Sequence, residues 1–351
     1  MTPRVKFLYC VGPMAAVTNQ RVDEGSDDVV DLRVNPSDGG PSVIALGNFD
    51  GVHLGHAALC ARARDLARPD TDTASRALML TFSPHPSAIV APARTPARLT
   101  TSLQRRALVA RLGLDGIIEQ CFDSALSSLT PTRFARDILS QGLNAVGIVV
   151  GHGFRFGFER AGDTKLLAEL GAELGFWVEC LPPVLGHDGV LISSSRIRSL
   201  ITSGDATTAA RLLGRPYALE GVIVHGAQRG RQLGYPTANL GDLARRGQVL
   251  PAVGIYAGSL DWGRGPRLSA ISVGHNPTFG HAAVTVEAYV LPEASDEGEG
   301  EMNLYDHVAE VAFHARLRDE RAFDNITALV DQIAADVEAA RSMDLRFPAH
   351  R

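Results

Sequence analysis

Lysine is almost missing from this 351-residue chain: Lys6 and Lys165 stand against 32 arginines. A phosphate-binding P-loop needs Lys followed by Ser or Thr after a glycine-rich turn. Lys6 precedes Phe7 and Lys165 precedes Leu166, so any nucleotide chemistry here runs without that lysine. Cysteine is also sparse. Cys10, Cys60, Cys121 and Cys180 lie far apart and form no CxxC pair, which excludes a zinc site or a disulfide framework. They read as four buried thiols in a reducing compartment. No apolar run reaches roughly 18 residues, so the sequence holds no candidate membrane span. The stretch Met1 to Val17 is broken by Gly12 and Pro13 and weakly flanked by bases, a poor signal peptide; the expected location is cytoplasmic. Positive charge is not in excess. The net charge of −5 matches the five acids at Glu293, Asp296, Glu297, Glu299 and Glu301, leaving no global basic field for nucleic acid.

What is present is a folded chain, 45% apolar and 21% charged, long enough for about two domains. Two halves differ in period. In the first, Ser42–Leu46, Ala77–Phe82, Gly116–Cys121, Ala145–Gly151 and Phe176–Leu181 read as buried strands. Helical patterns separate them. One begins at Thr101 with Gln104 three residues on, a capping-box spacing, and aligns Leu103, Ala107, Leu108 and Leu112. Another runs from Pro131 through Phe134, Ile138 and Leu139, and a third from Asp163 through Leu166, Leu167, Leu170 and Leu174. Such alternation implies a doubly wound parallel sheet. After Gly214 come short β-branched strands: Glu220–Gly226, Gly254–Leu260, Leu268–Gly274, Val284–Leu291 and Val308–His314. They predict an antiparallel barrel or sandwich. The last segment, Arg318–Arg341, reads as a helix. The boundary falls near Arg215–Pro216, residues 1–41 fit neither half, and Glu293–Met302 reads as a solvated acidic hairpin loop.

The sharpest local feature is Gly47-Asn48-Phe49-Asp50-Gly51-Val52-His53-Leu54-Gly55-His56, between the first strand and a helix carrying Ala57, Leu59, Ala63 and Leu66. Glycines let main chain approach a phosphate, and a helix N-terminus presents free N–H groups to an anion. His53 and His56, three apart, share a face from which both can reach phosphate oxygens; a plain turn cap is the bland alternative, and a metal lacks a third ligand nearby. Ser193-Ser194-Ser195-Arg196-Ile197-Arg198 opens another helix, an anion nest or an N-capped surface helix. Thr81-Phe82-Ser83-Pro84-His85-Pro86 and Gly151-His152-Gly153-Phe154-Arg155-Phe156-Gly157 close two strands, where such sheets bind ligands.

In the second half, Gly226-Ala227-Gln228-Arg229-Gly230-Arg231 could fold over a polyphosphate. Thr237 and Asn239, two apart on an extended segment, point to one side, so a hydroxyl and an amide oxygen could share one Mg²⁺. Ser272-Val273-Gly274-His275-Asn276-Pro277-Thr278-Phe279 reads as a rigid turn. Glu287 stands between Val286 and Ala288, either a solvent-face residue or a general base.

Taken in order, GNFDGVHLGH, TFSPHP, SSSRIR, RGRQLGYPTAN, SVGHNPTF, VEAYVL and LRDERAF resemble the motifs of bacterial bifunctional riboflavin kinase/FAD synthetases over about residues 42–341. The resemblance implies a Rossmann-like nucleotidylyltransferase domain (42–214) and a Greek-key flavokinase β-barrel with a terminal α-helix (215–351), behind an extension of unknown role (1–41). The implied chemistry is ATP-dependent phosphorylation of riboflavin to FMN with ADP as by-product, then adenylylation of FMN to FAD with release of pyrophosphate. The alternative is a riboflavin kinase whose first domain is weakened or altered. Carried over, Glu287 is the kinase base; His53 and His56 act on ATP phosphates; and Gly47, Phe49, Gly55, Ser194, Arg196, Gly226, Arg229, Gly230 and Asn276 bind nucleotide. Thr237 and Asn239 bind Mg-ATP. Three positions depart from the family: Gly153 stands where Asp or Asn is usual, Ser195 where Thr is, and Asp306 where Gly is.

Overall fold

The computed structural model describes residues 6–10, 40–68, 75–226, 229–276, 283–293 and 304–343. The chain forms two compact units. One comprises residues up to Pro96 together with Arg105–Leu191; the other comprises Ala97–Gln104 and Ile192 onward. By packing, residues 97–104 and 192–214 thus belong with the barrel.

The first unit is built on a six-stranded parallel sheet. Its strands are β1 (Lys6–Cys10), β2 (Ser42–Leu46), β3 (Arg76–Ser83), β4 (Gly116–Cys121), β5 (Ala145–Gly151) and β8 (Trp177–Leu181), in the order β1-β4-β3-β2-β5-β8. A small antiparallel pair, β6 (Arg155–Phe156) and β7 (Gly162–Asp163), lies between β5 and β8 in sequence. The runs are continuous in apolar residues because both faces are covered. Ile44 and Leu46 join one core with Leu80, Ile118, Phe134, Ile148 and Leu167; Val43 and Ala45 join the other with Phe49, Leu59, Met79 and Val149. Sequence pattern places five of these strands within a residue or so at each end. The sixth, β1, pairs with β4 from Lys6↔Gly116 to Cys10↔Gln120, so part of the stretch before residue 42 belongs to the sheet.

β2 has β3 and β4 on one side and β5 and β8 on the other, so the strand order reverses between β2 and β5. Ligand crevices in open parallel sheets form at the carboxyl ends of strands flanking such a reversal. The loops there are those after Leu46 and after Gly151.

The buried face of one helix differs from expectation. The helix Ser102–Arg111 has the predicted capping box: Thr101 N–H donates to Gln104 Oε1 (3.0 Å) and Gln104 N–H to Thr101 Oγ1 (3.1 Å). Its buried residues are Gln104, Arg105 and Val109, while Leu103 is 60% exposed and Ala107 is also exposed. Buried Glu119 draws Arg105 inward at 2.9 Å, with Arg106 at 3.2 Å, and this ion pair overrides the apolar stripe. Cysteine burial also differs: Cys60 is buried, Cys121 half-buried and Cys180 exposed. Burial pushes the Cys60 thiol far up, which leaves it inert.

In the second unit, β9 (Tyr217–Val224), β10 (Ala238–Gly241), β11 (Gly254–Asp261), β12 (Arg267–Asn276), β13 (Ala283–Val290) and β14 (Val308–Arg318) close an antiparallel barrel in the order β10-β13-β12-β11-β14-β9. Alternation along β14 buries Ala309, Val311 and Phe313. Helices Ser194–Ser203 and Ala206–Leu213 precede the barrel, capped by Ser193 and Asp205. The terminal helix spans Ile326–Arg341 rather than starting at Arg318. Arg318 ends β14 instead, held by a 2.6 Å ion pair to Asp336 of that helix. Residues 294–303, most of the acidic hairpin loop, lie outside the described residues.

Candidate functional sites

In the first unit the turn after β2 is tightly wound. Gly47 N–H donates to the Leu80 carbonyl (3.1 Å), Thr81 Oγ1 donates to the Asn48 carbonyl (2.8 Å), and Val52 N–H returns to Phe49 (3.3 Å). Phe49, Gly51 and Val52 take φ of 48°, 88° and 40°. Left-handed backbone at a β-branched valine is strained, and such strain clusters where a site needs a fixed shape. Phe49 is fully buried in the core. A Cβ at Gly47 would stand 3.4 Å from its ring, so what Phe49 can offer a ligand is main chain.

His53 caps the helix Leu54–Ala67, and its Nδ1 accepts from His56 N–H at 3.3 Å. An accepting Nδ1 makes Nε2 the N–H donor of the neutral ring. The two imidazoles stack with centroids 3.6 Å apart and planes 16° from parallel. A Cβ at Gly55 would come within 3.1 Å of the His53 ring, so glycine there lets the ring lie over the helix start. The turn after β3 meets this one: Asn48 Nδ2 lies 3.5 Å from His85 Nε2, and His85 Nδ1 lies 2.7 Å from Ser87 Oγ. Asn48 and His85 were in recognised motifs, but their partnership depends on β2 and β3 being neighbours, which the sequence does not display.

Across the strand-order reversal, His152 N–H donates to Leu181 (3.0 Å), and Phe154 stacks on Phe156 (5.8 Å). Gly153 is exposed at φ 77°, with nothing within 4 Å of a would-be Cβ. Ser194 and Arg196 lie in the first turn of their helix, where Ser193 Oγ accepts from Arg196 N–H at 3.3 Å; by packing they belong to the second unit.

The barrel gathers the other set. β10 pairs with β13 so that Asn239 stands opposite Glu287, and β12 brings Ser272 opposite Glu287 from the other side. Thr237 Oγ1 donates to Glu287 Oε2 at 2.8 Å. Asn239 Nδ2 lies 3.4 Å from the Thr237 carbonyl. Glu287 is half-buried. Gly226 packs on the Asn239 carboxamide so closely that a side-chain carbon there would overlap it, and Gly230 likewise packs on the Tyr235 carbonyl. Arg229 opens a short helix, Arg229–Gln232, and Asn276 ends β12. Residues 227–228 and 277–282, between these pieces, lie outside the described residues. The hydroxyl, amide and carboxylate oxygens of Thr237, Asn239 and Glu287 are hard donors suited to Mg²⁺. Among the described residues no group of three or more His, Cys, Asp or Glu is placed to hold a metal ion.

The turn at the switch point of the parallel sheet is shaped for an anion, and the barrel gathers oxygen ligands suited to a cation, so the geometry points to two sites for nucleotide chemistry. Family models agree: FAD synthetase matches residues 35–196 and riboflavin kinase residues 213–343. The chain is 36% identical to the bifunctional riboflavin kinase/FMN adenylyltransferase of Pseudomonas fluorescens over 302 residues, covering 86% of this chain and 92% of that protein. Its counterpart in Escherichia coli K12 is 34% identical, covering 85% and 91%. A solved structure described as a macrolide-efflux protein from Streptococcus pneumoniae is 31% identical with a TM-score of 0.76, covering 88% of this chain and 98% of that one. Among the described residues no helix is long and apolar enough to cross a membrane. The chain belongs to the bifunctional riboflavin kinase/FMN adenylyltransferase family.

Proposed function

We propose that the barrel phosphorylates riboflavin with Glu287 as general base and that the parallel-sheet unit then adenylylates the product with His53 and His56 as hydrogen-bond donors to the ATP phosphates. The chain is a bifunctional enzyme of flavin cofactor synthesis, with riboflavin, FMN, FAD and ATP as its substrates and products. The functional division assigned is 42–214 for adenylyl transfer and 215–351 for the kinase. The assigned location is the cytoplasm.

In the kinase step the ribityl 5′-oxygen attacks the γ-phosphorus of ATP, the bond to the β-bridging oxygen breaks, and ADP leaves. The hydroxyl proton passes to Glu287. The observation that carries this reading is the 2.8 Å contact between Thr237 and Glu287, with Asn239 in register beside it. Thr237 and Asn239 are the residues that would hold Mg²⁺, which neutralises charge on the phosphoryl oxygens. Gly226, Arg229, Gly230 and Asn276 are assigned to the nucleotide around them.

In the adenylyl step an oxygen of the FMN phosphate attacks the α-phosphorus, the α–β bridging bond breaks and pyrophosphate leaves. The nucleophile is already anionic, so no base is needed. Catalysis is then positioning plus stabilisation of charge on the α-phosphate. His53 Nε2–H and the His56 ring supply donors. The turn Gly47–His56, including the main chain at Phe49 and the space at Gly55, shapes the anion site, and Ser194 and Arg196 are assigned to the polyphosphate.

A time course of riboflavin with Mg-ATP, resolved by chromatography, tests both activities. FMN followed by FAD is the expected result. FMN alone supports the second reading, a weakened first unit, for which the bare, exposed position at Gly153 argues. Neither product overturns the proposal.

A further inference from the structure

One aromatic contact of the barrel has no part in the mechanism above. The rings of His225 and Tyr305 stack with centroids 3.6 Å apart and planes 27° from parallel. His225 is the first residue after β9, and the next residue is Gly226, whose main chain presses on the Asn239 carboxamide. The turn carrying Tyr305 is laced to the same strand end. Asp306 N–H donates to the Ile223 carbonyl at 2.9 Å, Ile223 N–H donates to the His307 carbonyl at 2.9 Å, and His307 Nδ1 lies 3.0 Å from the Tyr305 carbonyl. A continuous path of contacts therefore runs from Tyr305 through His225 and Gly226 to Asn239.

His225 is exposed and Tyr305 only half-buried, so this stack adds little to the core. Its place gives it a different value. It holds the chain at the point where β9 gives way to the glycine-and-arginine segment, one residue before the contact with Asn239. A ligand to Mg-ATP binds more tightly when its geometry is set before the nucleotide arrives, because less ordering is left to the binding step.

We infer that Tyr305 is a positioning residue for phosphoryl transfer: by stacking on His225 it keeps Gly226 against Asn239 and so sets the carboxamide that stands opposite Glu287. The inference rests on the Thr237–Asn239–Glu287 reading of the kinase site. Its role is geometric, since no atom of Tyr305 need touch a reactant.

The test uses the full-length enzyme with Mg-ATP and riboflavin. Tyr305→Leu removes the stack while keeping bulk. It is expected to raise KM for Mg-ATP about tenfold with kcat altered less than about threefold, the signature of lost ground-state binding. Tyr305→Phe keeps the ring and restores parental values. A double-mutant cycle with Asn239→Ala separates positioning from a general structural effect: if Tyr305 acts through Asn239, its loss costs little more once the carboxamide is gone. Riboflavin binding, followed by flavin fluorescence quenching without nucleotide, reports that the barrel is folded.

If Asn239→Ala alone leaves the kinase unchanged, the site reading fails and this inference with it. If Asn239→Ala impairs the kinase but Tyr305→Leu matches the parent, or adds its full loss on top, Tyr305 is not a positioning residue. Should Tyr305→Leu fail to bind riboflavin, His225→Leu is read by the same criteria. Loss of riboflavin binding in both variants makes the stack structural and overturns the inference.

Discussion

Thr237 Oγ1 donates a hydrogen bond to Oε2 of Glu287 across 2.8 Å, joining a residue just before β10 to one in the middle of β13. A hydroxyl so used offers its lone pairs elsewhere, and a carboxylate so held keeps one oxygen oriented. In the kinase step proposed above, this pairing aligns the assigned cation ligand with the assigned base. Glu287→Gln keeps the shape but cannot take the proton. FMN formation is expected to fall by about 10²–10⁴-fold, while FAD formation from added FMN proceeds at the parental rate. A parental rate of riboflavin phosphorylation would reduce Glu287 to a strand residue. Thr237→Ala is expected to impair the kinase alone, with partial recovery at raised Mg²⁺.

His56→Ala reverses the pattern. The ring stacks on His53 at 3.6 Å and is expected to donate to charge developing on the α-phosphate. Removing such a donor costs about 10²–10³ in rate, so FMN accumulates from riboflavin and FAD does not form. Equal loss of both activities, measured in the same time course, would indicate misfolding instead.

Legibility in the sequence followed the length and chemistry of each segment. Parallel strands such as Ala145–Gly151 show because both faces are buried and the run is unbroken. β1 is not legible because a five-residue strand at Lys6–Cys10, far from the next strand at Ser42, carries no periodic context. β10, four residues long, shows no strand pattern of its own, although Thr237 just before it and Asn239 within it stand out by their chemistry. The buried face of the Ser102–Arg111 helix misled because Arg105 is held in by Glu119, a partner 14 residues away. The turn Gly47–His56 and the pair Thr237 and Asn239 stand out as candidates from residue type and spacing. The contacts that bring Asn48 to His85, and Thr237 to Glu287, required the sheet order.

Acid stability has an identifiable contributor in His314 on β14. Burial holds its imidazole down at about 4, from an ordinary value of 6.5. The folded state therefore resists the proton that the unfolded chain accepts. Stability from this group is fully present above pH 6.5 and is lost as pH falls toward 4. Discounted for partial solvent access, the loss is of order 1–3 kcal/mol. His314→Leu is expected to flatten the decline in Tm of the barrel between those pH values. An unchanged decline would assign the acid sensitivity to other groups.

Gly153 sets the last expectation. The loop around it is in place, with Phe154 on Phe156 and His152 bonded to Leu181. What is missing is a polar side chain at the carboxyl end of β5, the end at which open parallel sheets bind ligands. The space is open, since nothing lies within 4 Å of a Cβ there, but φ is 77°. Left-handed backbone costs an ordinary L-residue roughly 1–2 kcal/mol, and Asn or Asp the least. Gly153→Asp therefore trades modest strain for one hydrogen bond worth about 0.5–1.5 kcal/mol to a ligand. The expected result is an apparent affinity for FMN or ATP tightened by roughly three- to tenfold, with riboflavin phosphorylation untouched. Gly153→Ala carries the strain without the polar group and serves as the control. If Asp is no better than Ala, the bare position is neutral for adenylyl transfer. If the parent makes no FAD at saturating FMN and ATP while Gly153→Asp does, the first unit has lost its activity at this one position.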